Sequence, residues 1–252
     1  MRSSGGARDP GPQERQPQQA KIEAIDAHGP GGSYQIYFAA LTHRHIAIEG
    51  PAGVGKTALA ERLATRLDAA LVVDESANPF DGDAQGGRLG AAFQAQLFRL
   101  LTRHRQQSTL KQADLFAQAT VSDYLFDKDK IYAYQTLDDN ELFIYQRLFD
   151  LLARDVPVPD LVIYLQTPTD VLKRRLKDRA RAIPDGPVLE DDYVRELNEA
   201  YNHFFFHYNA TPLLVVETSQ FDLTWGTDDL EDLVKQLNGM GRGTRYYVPR
   251  TR

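Results

Sequence analysis

The chain of 252 residues contains no cysteine. Disulfide bonds and thiolate metal sites are therefore excluded, and the core must fold without covalent cross-links. No run approaches the ~18 consecutive apolar residues of a transmembrane helix, and the first residues lack the apolar segment of a secretory signal. The net charge of -6 argues against an overall basic surface for nucleic acid. We expect a soluble cytoplasmic protein that binds neither membranes nor nucleic acid.

The composition indicates one folded domain with a tail at each end. Hydrophobic residues make up 42% of the chain, enough for one sizeable core. The opening stretch, MRSSGGARDPGPQERQPQQ, is rich in Gly, Pro, Gln and Arg and has no periodicity, so it cannot bury enough apolar surface to order itself. We expect a disordered or poorly ordered tail at 1–35, a domain at 36–238 and a C-terminal tail at 239–252.

Strand patterns alternate with helical patterns along the domain. Five short apolar runs rich in β-branched residues predict strands at residues 45–50, 70–75, 119–124, 161–167 and 213–218. Helical patterns lie between them, at residues 56–67, 89–110, 138–154, 169–179 and 189–208. This order predicts an α/β fold with a five-stranded parallel sheet and helices on both faces. Ligands of such sheets bind beyond the carboxyl ends of the strands.

A glycine-rich motif joins the first strand to the first helix. It matches G-x-x-x-x-G-K-[ST] with Gly50, Pro51, Ala52, Gly53, Val54, Gly55, Lys56 and Thr57. The glycines let backbone N–H groups approach phosphate oxygens at the positive end of the helix dipole. We expect Lys56 to reach the β- and γ-phosphates and Thr57 to coordinate Mg²⁺. The motif predicts a site for ATP or another nucleoside triphosphate.

Acidic residues close two other predicted strands. Asp74 and Glu75 end the second run, where a carboxylate suits a general base that deprotonates an acceptor hydroxyl as it attacks the γ-phosphorus. Glu75 is also a candidate Mg²⁺ ligand beside Thr57, and a helix cap or solvated turn is the alternative for this pair. Asp123 closes the third run and is a candidate for a group near Mg²⁺ or the acceptor, unless it only forms an Asx turn.

Basic residues are concentrated in LKRRLKDRARA, at 172–182. Arg175 and Arg179 are four residues apart and share a helix face, while Arg181 lies just beyond. The cluster fits a lid that closes over the triphosphate and neutralises charge during phosphoryl transfer. A solvated basic face is the alternative.

The chain resembles the bacterial deoxyadenosine and deoxyguanosine kinase group of deoxynucleoside kinases. The matching segments, in order, are EGPAGVGKT, NPF, FQAQLFRLLTRHRQQ, VSDYLFDKDKIYA, PDLVIYLQTP, LNEAYNHFFFHY and TPLLVV. The resemblance covers about residues 45 to 218, and the closing RGTRYYVP also resembles the end of bacterial members. It implies a homodimeric salvage enzyme that uses ATP and Mg²⁺ to phosphorylate the 5′-hydroxyl of a deoxynucleoside, with a purine as the favoured base.

The resemblance also assigns residues. Gln96 would hydrogen-bond the base, and Arg103 would lie beside the 5′-oxygen and the base. Lys128 and its neighbours Asp127 and Asp129, in FDKDK, are further candidate contacts to the substrate. Arg175, Arg179 and Arg181 fall on the lid arginines of the family, although this chain has RAR where the family usually has RGR.

Three departures from the family pattern affect the acceptor site. The family places its glutamate base about four residues before the asparagine of NPF, whereas DESANPF is one residue short, so either Glu75 or Asp74 can be the base. An aromatic residue that usually meets the sugar 3′-hydroxyl corresponds to Gln85. The lid glutamate that grips the same hydroxyl falls near Pro184, with Asp185 as its near neighbour.

Two other functions compete with this interpretation. A thymidylate-type kinase of the same fold has a phosphate as acceptor and needs no base, so Glu75 favours an alcohol acceptor instead. A diverged, non-catalytic nucleotide-binding protein is the second alternative, because of the three departures.

Overall fold

The computed structural model describes residues 43–74, 77–113, 119–182, 189–220 and 225–249, without the side chains of residues 85 and 111–113. The strands in these ranges are β1 (His45–Glu49), β2 (Ala70–Val72), β3 (Thr120–Ser122), β4 (Leu161–Gln166), β5 (Leu213–Glu217) and β6 (Thr244–Tyr247). The helices are α1 (Lys56–Leu67), α2 (Asp81–Gln85), α3 (Ala91–Ala113), α4 (Lys128–Thr136), α5 (Asp139–Leu152), α6 (Thr169–Ala182), α7 (Asp191–His207) and α8 (Thr227–Asn238). A short 3₁₀ helix, Ala153–Asp155, follows α5.

The strands form one parallel sheet in the order β2-β3-β1-β4-β5-β6. The predicted α/β fold with a parallel sheet is therefore confirmed. β1 lies in the interior, with Ala47 in register with Ser122 on one side and Val162 on the other. Because all strands run the same way, the residues that follow β1, β2 and β3 meet at one edge of the sheet. The candidate site residues Lys56, Asp74 and Asp123 follow these three strands.

The prediction of five strands is wrong, because β6 adds a sixth in the described part of the chain. It lies inside the segment expected to be a C-terminal tail, and it pairs with β5 so that Leu213 is in register with Thr244 and Val216 with Tyr247. Three of its four residues are exposed, and only Tyr247 is partly buried. A short, polar edge strand carries no apolar run, so the criterion that found the other strands could not find it.

Helices cover both faces of the sheet, as predicted. Alternate residues of a strand point to opposite faces. Ile46 and Ile48 belong to a buried cluster that includes α1 and α8, whereas Ala47 belongs to a second cluster with α4 and α7. In the second cluster the ring of Tyr164 stacks on Phe205 with 4.1 Å between their centroids. No described helix is long and apolar enough to cross a membrane.

A third buried cluster holds α3 against α4 and α5. Leu100 of α3 packs with Phe126 before α4 and with Tyr145 and Phe149 of α5. α5 begins with a capping box, in which the Asp138 carboxylate accepts hydrogen bonds from the first turn. This packing brings the polar face of α3 beside the segment that follows β3.

The sequence analysis missed α2, α4 and α8. α8 buries Leu230, Leu233, Val234 and Leu237, which have the spacing of one helix face. That pattern was readable, but it lay beyond the last strand considered. α4 is short, and its buried residues include Lys128 and Asp129, which no hydrophobic pattern would select. The predicted N-terminal tail lies outside the described residues.

Candidate active site

The glycine-rich loop lies at the carboxyl end of β1, as its motif predicts. Gly50 has φ of 153°, and a Cβ there would lie 2.6 Å from the carbonyl oxygen of Leu165, so no other residue fits this position. Gly53 has φ of 88°, and a Cβ there would lie 3.0 Å from Leu176 of α6. α1 begins at Lys56 without a side-chain cap from the described residues. Its first N–H groups are therefore available to an anion.

Lys56 points back over the loop. Its Nζ donates to the carbonyl oxygens of Gly50 at 2.7 Å and Pro51 at 3.1 Å. Burial lowers the pKa of Lys56 from 10.5 to about 8, although the negative charges of Glu49 and Asp123 oppose this change. Burial deprives this ammonium of water, and the oxygens of a bound triphosphate would contact it instead.

Thr57 and Asp123 meet next to the loop. The Thr57 hydroxyl donates to Oδ2 of Asp123 at 2.7 Å, and Oδ1 of the same carboxylate accepts from the backbone N–H of Asp74 at 2.7 Å. Asp123 is 4% exposed. The strand order β2-β3-β1 produces this contact because β3 lies between the other two. The sequence left two roles open for Asp123. In the structure its carboxylate contacts the hydroxyl that we expect to bind Mg²⁺.

Asp74 joins two cations that come from different helices. Arg103 of α3 donates to both carboxylate oxygens, at 3.0 and 2.8 Å, and Lys128 of α4 donates to Oδ2 at 2.7 Å. Burial alone would raise the pKa of Asp74, but these two cations hold that pKa well below its usual range. Arg103 also forms a hydrogen-bonded ion pair with Asp129. The result is a buried cluster of two cations and two carboxylates.

Gln96 lies on the same face of α3, two turns before Arg103. It is 2% exposed, and its Nε2 lies 3.4 Å from the backbone carbonyl oxygen of Asp129. The Asp129 side chain is fully buried, and its Oδ2 has no hydrogen-bond partner among the described residues. An unpaired buried carboxylate oxygen is costly, so it marks a place where a ligand donor would fit.

Comparison with known proteins agrees with this arrangement. Residues 46–240 match the family model described as deoxynucleoside kinase. The chain belongs to the deoxynucleoside kinase family. It is 30% identical to the deoxyguanosine kinase of Bacillus subtilis over 158 residues, or 62% of this chain and 75% of that enzyme. It is 26% identical to the deoxyadenosine kinase of Lactobacillus acidophilus over 204 residues, or 77% of this chain and 94% of that enzyme.

A solved structure has the same fold. The deoxyadenosine kinase of M. mycoides with bound dATP aligns with a TM-score of 0.62 at 23% identity, covering 77% of this chain and 99% of that one. The resemblance stated from the sequence motifs is thus confirmed at the level of family and fold.

The helix of the proposed kinase lid packs directly on the phosphate-binding loop. Leu172 and Leu176 of α6 lie against Gly53. A Cβ on this glycine would lie 3.0 Å from Leu176 and 3.6 Å from Leu172. Arg175 donates to the Thr218 hydroxyl at 3.2 Å and also to its carbonyl oxygen, at the end of β5. Arg179 and Arg181 are exposed, and Arg181 pairs with Asp178 at 3.3 Å. The side chains of the two outer arginines thus face solvent.

Some predicted site residues fall outside the described part of the chain. These are Glu75, Pro184, Asp185 and the side chain of Gln85. The base assignment of Glu75, its metal assignment and the contacts to the sugar 3′-hydroxyl therefore stay predictions. Asp74 is the one of the two candidate bases whose contacts the structure describes.

Sequence reasoning missed Glu49, the last residue of β1. Its carboxylate is fully buried, and it accepts from the N–H of Gly50 at 2.9 Å and the N–H of Leu125 at 2.8 Å. The Tyr201 hydroxyl lies 3.3 Å from Oε1. Glu49 thus ties the start of the phosphate loop to the segment that carries Lys128. A carboxylate at the end of an apolar strand was the available signal.

Mg²⁺ is implied by the family chemistry, and the oxygen donors fit it. The Thr57 hydroxyl and the Asp123 carboxylate are hard ligands of the kind that hold Mg²⁺ together with phosphates and water. No group of three or more acidic or histidine residues in the described ranges forms a metal cage.

Proposed function

We propose that the chain is a kinase that transfers the γ-phosphate of ATP to the 5′-hydroxyl of a deoxynucleoside, with purine deoxynucleosides preferred. One observation carries the proposal. A continuous series of contacts runs from Thr57 at the phosphate loop through Asp123, the Asp74 backbone and the Asp74 carboxylate to Arg103. One series of hydrogen bonds therefore connects the site for a triphosphate with a second polar site.

The second polar site suits a nucleoside rather than another phosphate. Beyond Arg103 the series continues to Asp129 and Gln96, which provide a buried carboxylate oxygen and a buried amide. Carboxylates and amides are the groups that pair with base edges. The names of the relatives, deoxyguanosine and deoxyadenosine kinases, support the purine preference.

The chemistry assigns a role to each group. The 5′-oxygen forms a bond to the γ-phosphorus, the bond from that phosphorus to the β-phosphate oxygen breaks, and the hydroxyl proton passes to the carboxylate of Glu75 or Asp74. Bound Mg²⁺ would neutralise charge on the phosphates. Lys56 and Arg175 stabilise the charge of the transferred group and ADP. The low pKa of Asp74 keeps its carboxylate ionised but makes it a weak proton acceptor, so in this role it would first accept a hydrogen bond from the 5′-hydroxyl and take the proton only as the bond to phosphorus forms.

The test is a comparison of the four deoxynucleosides with ATP and Mg²⁺, scored as 5′-monophosphate formed. We expect the highest kcat/KM with deoxyadenosine or deoxyguanosine. Lys56→Ala serves as the inactive control, because the charge at the phosphates is lost. Preference for thymidine would overturn the purine assignment. Absence of turnover with all four, in a protein that still binds ATP, would favour the non-catalytic alternative.

We also propose that the enzyme is a homodimer that pairs through α4 and α7. A largely apolar cavity of about 550 Å³ lies between these helices, with Tyr134, His203 and Phe204 in its lining. Tyr134 is 60% exposed beside this cavity, so a second copy docked there would cover apolar surface. Tyr134→Glu should yield a monomer in sedimentation velocity, and Leu151→Glu, on the exposed side of α5, should remain dimeric. A monomeric unmodified protein would refute the proposal.

The cytoplasmic location stays a prediction.

A further inference from the structure

Arg99 of α3 connects the buried Gln96 amide to the start of α2. Its Nη1 donates to Oε1 of Gln96 at 2.8 Å, and its Nη2 forms an ion pair with the carboxylate of Asp81. The side chains of this ion pair are 32% and 33% exposed, so the pair lies at the rim of the buried site. Arg99 lies inside the segment FQAQLFRLLTRHRQQ and Asp81 directly follows NPF, but the sequence analysis assigned a role to neither residue.

The two ends of the Gln96 amide face groups of opposite hydrogen-bonding capacity. A guanidinium can only donate, and the carbonyl oxygen of Asp129 can only accept. The amide oxygen must therefore face Arg99, and the amide nitrogen must face Asp129. A turned amide would place its NH₂ against the guanidinium and its oxygen against the carbonyl, so it would lose both contacts. The contact to Arg99 contributes more, because it is shorter and charge-assisted.

This constraint determines what the amide can offer to a ligand. After the contacts to Arg99 and Asp129 are made, the Gln96 amide has one N–H and one oxygen lone pair left for a ligand. The same contacts determine on which side the ligand meets the donor and on which side it meets the acceptor. An unconstrained amide can present donor and acceptor in either order, and it would pair with base edges of either pattern. A constrained amide leaves the wrong pattern with unpaired polar groups in a buried site, which strongly disfavours that base.

We propose that Arg99, held by Asp81, determines base specificity by fixing the orientation of the Gln96 amide. The proposal rests on the proposed function, since it requires Gln96 to read the base. It assigns Arg99 as a positioning residue that acts on the base through Gln96. It also makes α2, which follows the NPF turn and ends at Gln85, part of the base-reading apparatus.

Substitution of Arg99 tests the proposal. Arg99→Met keeps an aliphatic stem and removes every donor. We expect the ratio of kcat/KM between the preferred and the less preferred purine deoxynucleoside to fall about tenfold, the usual effect of losing one charge-assisted hydrogen bond. The KM for ATP should not change. Asp81→Asn should shift the ratio in the same direction by less, and Arg99→Lys, which keeps a donor and a charge, should retain most of it.

A matched control exists on the same side of the molecule. Arg88 pairs with Asp83 of α2 at 2.7 Å in an exposed ion pair. Arg88→Met removes an arginine and an ion pair to α2 without a contact to Gln96, so the purine ratio should be unchanged.

The outcomes separate this proposal from the one on which it rests. If Arg99→Met lowers kcat/KM for all four deoxynucleosides by a common factor, Arg99 is structural and the inference is wrong. If Gln96→Leu leaves the base preference unchanged, Gln96 does not read the base, and the inference falls together with that assignment. If no deoxynucleoside is phosphorylated by the unmodified protein, the proposed function itself fails.

Discussion

We predict that removal of the Lys56 ammonium stabilises the fold in the absence of nucleotide while it abolishes activity. Burial lowers its pKa from 10.5 to about 8. A lysine whose pKa is lower in the folded chain binds fewer protons there than in the unfolded chain, between the two values. Stability consequently rises with pH from about 8 to 10.5, and below about 8 the full penalty for the charged lysine is present.

The size of the penalty follows from the two pKa values. The difference between 10.5 and about 8 corresponds to about 3 kcal/mol at about 1.4 kcal/mol per pKa unit. Two effects reduce it in a Lys56→Met variant. Lys56 is only partly buried by surface area, and the variant loses the hydrogen bonds to Gly50 and Pro51. We therefore expect Lys56→Met to gain about 1 to 2 kcal/mol of unfolding free energy at neutral pH.

Urea unfolding without nucleotide measures this gain. The advantage of Lys56→Met should be largest near neutral pH, should shrink as the pH rises from about 8 to 10.5, and should be absent above 10.5, where the wild-type lysine becomes neutral in both states. Lys177→Met is the control, because Lys177 forms an exposed ion pair with Asp191 and its loss should change stability little. A variant no more stable than wild type at neutral pH, or an advantage independent of pH, would refute the reasoning.

Three further predictions concern the acceptor site and its support. Asp74→Asn should lower kcat roughly 10²- to 10⁴-fold with the KM for ATP preserved, the range usual for loss of a general base; an active Asp74→Asn with an inactive Glu75→Gln would transfer the role to Glu75. Gln96→Leu should lower kcat/KM for the best deoxynucleoside while the KM for ATP stays constant, as steady-state kinetics with each substrate would show. Glu49→Gln should cost about 1 to 3 kcal/mol in urea unfolding, because its amide nitrogen must face the N–H of Gly50 or Leu125; unchanged stability would mean that this anchor contributes nothing.

The phosphate-binding loop and the class of fold could be predicted from the sequence alone. The loop is formed by contiguous residues, from Gly50 to Thr57. Their backbone conformations, and the helix that begins at Lys56, depend on neighbouring residues in the sequence. The interior strands were predictable because burial on both faces requires unbroken apolar runs. β6 was not, since its exposed residues carry no such run.

The acceptor site depended on tertiary structure. Asp74 is separated by 29 residues from Arg103 and by 54 from Lys128, and their contact exists because α3 and α4 pack together beside β2 and β3. A sequence pattern shows which carboxylates follow strands, but the strand order and helix packing decide which cation each one meets. The orientation of the Gln96 amide depends in the same way on Arg99 and on the Asp129 carbonyl. Local spacing determined the phosphate site, whereas contacts between distant segments decided the geometry proposed to read the base.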